Sequence, residues 1–205
     1  MKIQQLTVVG AGTMGNGITH TFAQHGFSVL LYDTATAQLD KALQTIAKNL
    51  NRQLQKGKIS EALKIECLGN IQTTTEKERA FSQADLIIEA VSENQAVKKQ
   101  VFKDIEHYRK NNCILASNTS SLSITALGAL CKNPAKVIGM HFMNPVPMMP
   151  LVEVIQGHDT DPEVIDTICQ LSKQINKTPL VVSDAPGFVA NRIAIPMINE
   201  AIETL

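Results

Sequence analysis

The sequence predicts an α/β fold with a doubly wound, mostly parallel sheet. Short apolar, β-branched segments alternate with longer segments of helical periodicity through most of the 205 residues. This alternation is typical of parallel strands that are joined by crossover helices on both faces of a sheet. A glycine-rich turn after the first apolar segment and an acidic residue at the end of the second narrow the fold class further.

The first strand and helix are predicted from the residues around the glycine-rich turn. Ile3 to Val9 is apolar, Gly10, Gly12 and Gly15 follow in a G-x-G-x-x-G pattern, and helical periodicity begins after them. In this setting the first glycine allows a tight turn, the second lets the backbone approach a pyrophosphate, and the third lets the helix pack closely on the strand. The order of these elements predicts a Rossmann-type dinucleotide site with the anion at a helix N-terminus. An ordinary glycine loop is the alternative.

The second strand, Ser28 to Asp33, ends in an acidic residue that selects the dinucleotide. Asp33 follows Gly15 by 18 residues, where a carboxylate can bind the ribose hydroxyls. The same carboxylate would repel the 2′-phosphate of NADP, so the predicted cofactor is NAD. The predicted cofactor contacts in the turn are Gly10, Ala11, Gly12, Thr13, Met14 and Gly15.

A helical arm is predicted after the second strand, over about residues 36–67. Apolar residues recur at spacings of three and four from Leu39 to Leu54, which marks a long amphipathic helix that Gly57 ends. Ser60 is placed to cap a second, shorter helix. Asp40 is the one acidic residue between positions 38 and 58, whereas the basic residues there are Lys41, Lys48, Arg52, Lys56 and Lys58. Such a run is usually a solvated face, but it would also suit a phosphate-bearing substrate.

The remaining strands are predicted from apolar segments between turn residues: Ile71 to Thr74, Leu86 to Val91, Ile114 to Ser117, Val137 to His141, Leu151 to Ile155 and Leu180 to Ser183. Further helices are predicted at Gln95 to Tyr108, Pro162 to Ile175 and Phe188 to Leu205. The strands on either side of the loop from Pro145 to Pro150 are joined without a helix. They are therefore predicted to pair in an antiparallel way at one edge of the sheet.

Composition argues against several classes of function. The 19 acidic and 19 basic side chains give no global charge bias toward nucleic acid. No apolar segment approaches the ~18 residues that a membrane helix needs. The four cysteines are far apart, without a C-x-x-C pair, so neither a metal site nor thioredoxin-type chemistry is predicted. We expect a cytoplasmic protein with no membrane or nucleic-acid partner and no targeting segment.

His141 is the predicted general base. Oxidation of an alcohol by hydride transfer needs a group that takes the hydroxyl proton, and histidine titrates in the right range. His141 ends an apolar strand at the edge of the sheet where ligands bind, whereas packing or surface positions fit the other four histidines. Glu153 interrupts the strand from Leu151 to Ile155, and a hairpin-like return would bring it to His141. A buried ion pair that only stabilises the fold is the alternative.

Polar residues also follow two other predicted strands. Ser117-Asn-Thr-Ser-Ser121 could line a pocket, but helix capping explains these residue types equally well. Glu89-Ala-Val-Ser-Glu93-Asn94 places two acids near the expected position of the nicotinamide half of a cofactor.

Six segments in order resemble the NAD-dependent 3-hydroxyacyl-CoA dehydrogenase family, particularly its bacterial 3-hydroxybutyryl-CoA members. They are Gly10-Ala-Gly-Thr-Met-Gly15, Glu89-Ala-Val-Ser-Glu-Asn94, Ser117-Asn-Thr-Ser-Ser121, His141-Phe-Met-Asn-Pro-Val-Pro147, Leu151-Val-Glu-Val154 and Asp184-Ala-Pro-Gly-Phe-Val-Ala-Asn-Arg192. Together they are far more specific than the glycine turn alone, and the resemblance covers almost the whole chain.

The resemblance implies reversible oxidation of a short-chain (S)-3-hydroxyacyl-CoA to the 3-oxoacyl-CoA with NAD. It makes His141 the catalytic base and Glu153 its orienting partner, with Ser120 and Asn191 as substrate contacts of the catalytic set. Around the nicotinamide and its ribose it places Ser120, Glu93, Lys98 and Asn144. It also turns the basic arm into a coenzyme A contact, through Lys56 and Asn49.

The resemblance further implies two domains. Residues 1–185 would form the NAD-binding domain, and residues 186–205 would begin a C-terminal helical domain that closes the cleft and forms a homodimer in the full-length protein. We expect this chain to contain only the start of that second domain. Two alternatives stay open: a dehydrogenase of a small sugar acid, and an NAD-binding structural or sensor protein without catalysis. The complete catalytic set argues against the second, and the basic arm favours coenzyme A over the first.

Overall fold

Eight strands form one sheet in the computed structural model, which describes residues 3–205. The strands are β1 (Leu6–Val9), β2 (Val29–Tyr32), β3 (Ile71–Thr74), β4 (Leu86–Glu89), β5 (Ile114–Ser117), β6 (Val137–Phe142), β7 (Leu151–Gln156) and β8 (Thr178–Ser183). Their order across the sheet is β3-β2-β1-β4-β5-β6-β7-β8. The order reverses between β1 and β4, so the carboxyl ends of these strands flank the crevice in which open α/β sheets bind ligands.

Helices cover both faces of the sheet, which confirms the doubly wound prediction. They are α1 (Thr13–Gln24), α2 (Thr36–Gln55), α3 (Glu61–Gly69), α4 (Lys77–Phe81), α5 (Gln95–Tyr108), α6 (Ile124–Gly128), α7 (Pro162–Gln174) and α8 (Ala190–Glu203). Side chains of α1, α2 and α7 belong to one apolar core cluster, which includes Phe22, Ile46 and Ile168. Side chains of α4 and α5 belong to a second cluster, which includes Phe81 and Phe102.

Strand pairing matches the predicted exception to the parallel pattern. β6 and β7 are antiparallel, and their register sets His141 directly opposite Glu153. The other six neighbouring pairs are parallel, including β7 with β8. The antiparallel pair lies one strand in from the edge, because α7 crosses over and adds β8 outside β7.

Several predicted boundaries were wrong, each for a local reason. β1 begins at Leu6 rather than Ile3, because the N–H groups of Gln4 and Gln5 donate to the Asp85 carboxylate at 3.0 Å instead of to a strand. β4 ends at Glu89 rather than Val91, since the Val91 N–H donates to Glu89 Oε1 at 2.8 Å. α8 begins at Ala190 rather than Phe188, whose φ of 49° is left-handed and not helical.

The helical arm consists of α2 and α3 and packs on α1 through its apolar stripe. Leu39, Ala42, Ile46 and Leu50 are buried on that face, and Asn16 of α1 donates its side-chain amide to the Ala42 carbonyl at 3.0 Å. The predicted cap is confirmed. Ser60 Oγ accepts a hydrogen bond from the Leu63 N–H at 3.1 Å. The basic residues Lys41, Lys48, Arg52, Lys56 and Lys58 are all exposed.

Helix α8 has no buried residue, although it is rich in apolar ones. Its exposed apolar side chains are Ile193, Ile195, Met197, Ile198 and Ile202. An apolar stripe of this kind is typical of a surface that another element covers. Neither α8 nor any other helix within residues 3–205 is long and apolar enough to cross a membrane.

Candidate active site

Glycine is required at two positions of the turn between β1 and α1. Gly10 has a φ of +99°, and a Cβ there would lie 2.8 Å from the Ala90 carbonyl oxygen at the end of β4. A Cβ at Gly15 would lie only 1.7 Å from the Gly10 carbonyl oxygen. Gly12 differs, because a Cβ there would meet nothing within 4 Å. It forms the N-cap of α1 without a side-chain cap, so the helix N-terminus faces open space that an anion can fill.

Asp33 lies beside this turn and contacts it. Its Oδ2 accepts from the Ala11 N–H at 2.8 Å, and its Oδ1 accepts from the Ala35 N–H at 3.0 Å. We call the adjoining 600 Å³ cavity the aspartate pocket; its lining includes Gly10, Gly12, Tyr32, Asp33, Ala90 and Val91. An uncapped helix N-terminus, a bare glycine backbone and a carboxylate at the end of β2 fit the pyrophosphate and ribose of NAD.

His141 and Glu153 form a hydrogen-bonded pair across β6 and β7. His141 Nδ1 and Glu153 Oε2 are 2.8 Å apart, and the His141 ring packs at a tilt on Phe188 with ring centroids 5.9 Å apart. Since a carboxylate only accepts, Nδ1 carries a proton in this bond and Nε2 is the ring nitrogen left to receive one. A hydrogen-bonded carboxylate that fixes the tautomer of a histidine is the arrangement that general-base chemistry uses.

The second oxygen of Glu153 holds the start of α8. Glu153 is 0% exposed, and its Oε1 accepts from the N–H groups of Val189 and Ala190 at 2.9 and 2.8 Å. Both oxygens are therefore satisfied, which offsets the cost of burying a carboxylate. This second contact was not predicted, because nothing in the sequence relates Glu153 to residues 36 positions further on.

His141 opens into a 440 Å³ cavity, which we call the histidine pocket. Its lining includes Met14, Ala90, Val91, Glu93, Asn118, Ser120, His141, Asn144 and Asn191. Asn191 donates its side-chain amide to the Ser120 carbonyl at 3.1 Å, so α8 and the segment after β5 meet here. Ala90 and Val91 line this pocket and the aspartate pocket alike. The structure thus brings together five residues that were predicted separately: His141, Ser120, Asn191, Asn144 and Glu93.

Glu93 accepts hydrogen bonds from the segment after β5. Its Oε1 accepts from the Thr119 hydroxyl, from the Ser120 and Ser121 N–H groups at 2.9 and 3.2 Å, and from the hydroxyls of the same serines at 3.4 and 3.2 Å. Partial burial alone would raise the pKa of Glu93, but the Thr119 hydrogen bond and the charge of Lys98 outweigh it and lower that pKa. Glu93 is therefore held as an acceptor that fixes the backbone of Ser120. The pocket and capping interpretations of this segment both apply, since Ser123 caps α6 by accepting from the Ala126 N–H at 3.1 Å.

Lys98 lies behind Glu93 and does not line the histidine pocket. It is 1% exposed, and its Nζ is 2.6 Å from Glu89 Oε1 and 3.3 Å from Glu93 Oε2. The fully buried Glu89 also accepts from the Ser117 hydroxyl at 2.6 Å. This network was missed from the sequence, although a glutamate at the end of an apolar strand was a signal for a buried partner. The predicted place of Lys98 beside the nicotinamide ribose stays a prediction, with Glu93 as the intermediary.

The basic arm borders a cavity of 700 Å³, which we call the basic cleft. Its lining includes Asn49, Arg52, Lys56 and Lys58 of the arm, Thr21 and Gln24 of α1, and Pro145, Pro147 and Met148. A neighbouring cavity of 340 Å³, the glycine pocket, shares Asn49, Pro145 and Pro147 with it and extends to Gly12 and Thr13. His20 also borders the cleft, where burial lowers its pKa to about 4.

Within residues 3–205 the structure contains no cluster of metal-ligating side chains, and burial raises the pKa of each of the four cysteines. Within residues 3–205, no group of three or more histidine, cysteine or acidic side chains could hold a metal ion. Cys67 and Cys113 are buried, and burial raises their thiol pKa values to about 11 and about 12. A thiol with so high a pKa is a poor nucleophile at neutral pH.

The fold and the site define a class of protein, the NAD-dependent dehydrogenases that act on a hydroxyl group. A family model described as 3-hydroxyacyl-CoA dehydrogenase, NAD binding domain, matches residues 5–185. The chain belongs to this family of NAD-dependent 3-hydroxyacyl-CoA dehydrogenases.

Individual relatives agree with this family. A 3-hydroxybutyryl-CoA dehydrogenase of Clostridioides difficile is 52% identical over 198 residues, which cover 97% of this chain and 70% of that relative. A 3-hydroxyadipyl-CoA dehydrogenase of Escherichia coli is 40% identical over 205 residues, which cover 100% of this chain and 43% of the relative. The crystal structure of (S)-3-hydroxybutyryl-CoA dehydrogenase from Ralstonia eutropha superposes with a TM-score of 0.95 at 44% identity, over 98% of this chain and 70% of that one. The predicted family, enzyme class and cofactor are confirmed.

Proposed function

We propose that this protein interconverts a short-chain (S)-3-hydroxyacyl-CoA, 3-hydroxybutyryl-CoA, and its 3-oxoacyl-CoA, with His141 as the general base. The observation that carries this proposal is the His141–Glu153 pair in the wall of a pocket that also contains Ser120 and Asn191. The names of the relatives in Clostridioides difficile and Ralstonia eutropha support the four-carbon substrate.

The proposed chemistry assigns one proton to one ring nitrogen. Glu153 keeps the proton of His141 on Nδ1, so Nε2 takes the proton of the substrate hydroxyl. NAD held at the glycine turn and Asp33 would supply the acceptor for the hydride that leaves C3. The buried Glu153 carboxylate then stabilises the imidazolium that forms, and in the reverse direction His141 returns the proton to the oxygen at C3. Ser120 and Asn191, which also line the histidine pocket, position the substrate oxygens.

In the proposed cofactor site, the backbone from Gly10 to Gly15 holds the pyrophosphate and Asp33 holds the adenosine ribose. Glu93 and Asn144 lie in the histidine pocket, at the nicotinamide end. Lys98 fixes Glu93 from behind.

Replacing Asp33 by asparagine should narrow the preference for NADH over NADPH severalfold. Asparagine removes the negative charge that repels a 2′-phosphate, yet it retains an oxygen that can accept from the Ala11 N–H. The measurement is kcat/KM for each cofactor at a fixed concentration of acetoacetyl-CoA. Asp40→Asn is the control, because it removes the charge of an exposed residue of α2. It should leave the ratio of the two kcat/KM values unchanged. Equal efficiency with both cofactors in the unmutated protein would refute the role of Asp33.

The basic cleft is proposed to hold the nucleotide phosphates of coenzyme A, with Lys56 and Asn49 as contacts. Lys56→Glu should raise the KM for acetoacetyl-CoA roughly tenfold, since it replaces attraction by repulsion at the entrance of a charged cleft. The KM for acetoacetyl-pantetheine, which lacks the nucleotide phosphates, should change little. Steady-state kinetics with both thioesters measures the difference.

Lys48→Glu is the matched control for this test. Lys48 is exposed on the same helix but does not line the basic cleft, so it changes the net charge equally without touching the site. We expect both of its KM values to stay near those of the unmutated protein. If Lys48→Glu and Lys56→Glu act alike, or if both thioesters weaken equally, the helix is a solvated face and the coenzyme A assignment fails.

We also propose the division into an NAD-binding domain, residues 1–185, and the start of a helical dimerisation domain, residues 186–205. The family match to residues 5–185 and the exposed apolar side chains of α8 support it. Because Glu153 and Ser120 both hold α8, the second domain would meet the first at the histidine pocket.

A further inference from the structure

The loop between β6 and β7, residues 143–150, forms part of the wall of three cavities. Met143 and Asn144 line the histidine pocket, and Pro145 and Pro147 line both the basic cleft and the glycine pocket. We call this segment the proline loop. Its position therefore helps to set the shape of all three cavities.

The proline loop can supply few hydrogen bonds of its own. Proline at positions 145, 147 and 150 has no N–H to donate. Within the loop, the N–H groups of Met148 and Met149 both donate to the Pro145 carbonyl at 3.0 Å. The carbonyl of the buried Val146 needs a donor from another part of the chain, since a buried carbonyl without a partner is costly.

Lys177 supplies these donors from the turn between α7 and β8. Its Nζ donates to the Val146 carbonyl at 2.6 Å and to the Met149 carbonyl at 2.9 Å. The next residue, Thr178, donates its N–H to the Pro150 carbonyl at 2.8 Å. The loop is thus held at the Val146, Met149 and Pro150 carbonyls by one short segment.

Within residues 3–205, the hydrogen bonds of the Lys177 ammonium group go to the proline loop alone. Lys177 is 7% exposed, and among the carboxylates of residues 3–205 none lies within 4.0 Å of its Nζ. Burial lowers its pKa. Burying a cation without a counter-ion is costly, and the hydrogen bonds that offset this cost all go to the proline loop.

The opposite side of the proline loop packs tightly on α1. A Cβ at Gly17 would lie 2.9 Å from Cβ of Val146, so the loop has no room to move closer to that helix. Loss of the Lys177 bonds would therefore free the loop to shift relative to α1, and with it Pro145, Pro147 and Met148, which line the basic cleft.

We propose that Lys177 is a positioning residue that fixes the proline loop as the wall of the acyl-CoA path. It acts through the Val146 and Met149 carbonyls and does not touch substrate. The part of this inference that concerns acyl-CoA rests on the proposed function, whereas the part that concerns the loop does not.

Lys177→Met tests both parts. Hydrogen exchange in a peptide that covers residues 143–150 should become about tenfold faster. Without the Lys177 bonds the loop opens more often, and the Met148 and Met149 amides then lose their hydrogen bonds to the Pro145 carbonyl. The KM for acetoacetyl-CoA should rise about tenfold with kcat changed much less, since Glu153 and the β6–β7 pairing hold His141 independently of the loop. Lys173→Met, at an exposed position of α7, is the matched control and should change neither quantity.

Unchanged exchange of residues 143–150 in Lys177→Met would overturn the proposal, whatever the kinetics. A fall in kcat with no change in KM would also contradict it, because the wall of the acyl-CoA path would then be unaffected. If Lys177→Met does not fold, Lys177→Gln keeps one amide donor and should show the same two changes at smaller size; no change in either would likewise overturn the proposal. Failure of the unmutated protein to use any acyl-CoA would refute the proposed function, while the exchange result would still decide the role of Lys177.

Discussion

Replacing His141 by alanine should lower kcat with acetoacetyl-CoA and NADH by about 10²–10⁴, the usual contribution of a positioned acid–base group. The dissociation constant for NADH should stay within a few-fold, because His141 does not line the aspartate pocket. Steady-state rates and fluorescence titration with NADH measure the two quantities. Glu153→Gln should lose less than His141→Ala, since the base remains but its tautomer is no longer held by a carboxylate.

His158→Ala is the control, because His158 is exposed in the turn after β7 and should leave both quantities unchanged. A parallel loss of NADH binding and rate in His141→Ala would mean that this histidine only stabilises the fold. A fully active Glu153→Gln protein would remove Glu153 from the mechanism.

Replacing Lys98 by methionine should lower the stability of the folded protein strongly. Lys98 and Glu89 are both buried and 2.6 Å apart, and removal of one member of such a pair leaves a buried charge without its partner. The free energy of unfolding should fall by about 3–5 kcal/mol. Chemical denaturation measures it, with Lys99→Met as the control, since Lys99 is the exposed next residue of α5.

Adding Glu89→Gln to Lys98→Met should recover part of the lost stability, because the second change removes the stranded charge. Ser117 can still donate to the glutamine oxygen. Equal stability of Lys98→Met and Lys99→Met would show that the ion pair contributes nothing net. In that case the position of Glu93 would depend on its hydrogen bonds from Thr119, Ser120 and Ser121.

The features that could be predicted from the sequence are those that local patterns determine. The glycine turn, the arm from α2 to α3 and its Ser60 cap each depend on residues a few positions apart. The pairing of His141 with Glu153 also followed from a local signal, because a short loop without a helix leaves an antiparallel hairpin as the simplest connection.

The features that could not be predicted depend on contacts between distant segments. The Asp85 carboxylate shortens β1 from 80 residues away. Lys177 reaches the proline loop, and Glu153 reaches α8, only after the sheet has formed. The family resemblance placed Lys98 beside the cofactor, but its Nζ lies in a buried ion pair with Glu89. The hydrophobic periodicity of the sequence gives no sign of this pair. In each case the side chain is polar and its partner is chosen by the tertiary fold.

The most direct test is a comparison of kcat/KM for acetoacetyl-CoA and for free acetoacetate with NADH, under the same conditions. If the basic cleft holds coenzyme A and His141 donates the proton, the thioester should be reduced far more efficiently than the free acid, and only the thioester should lose efficiency in Lys56→Glu. Similar efficiency with both compounds, or oxidation of a small sugar acid in preference to 3-hydroxybutyryl-CoA, would contradict the proposed function.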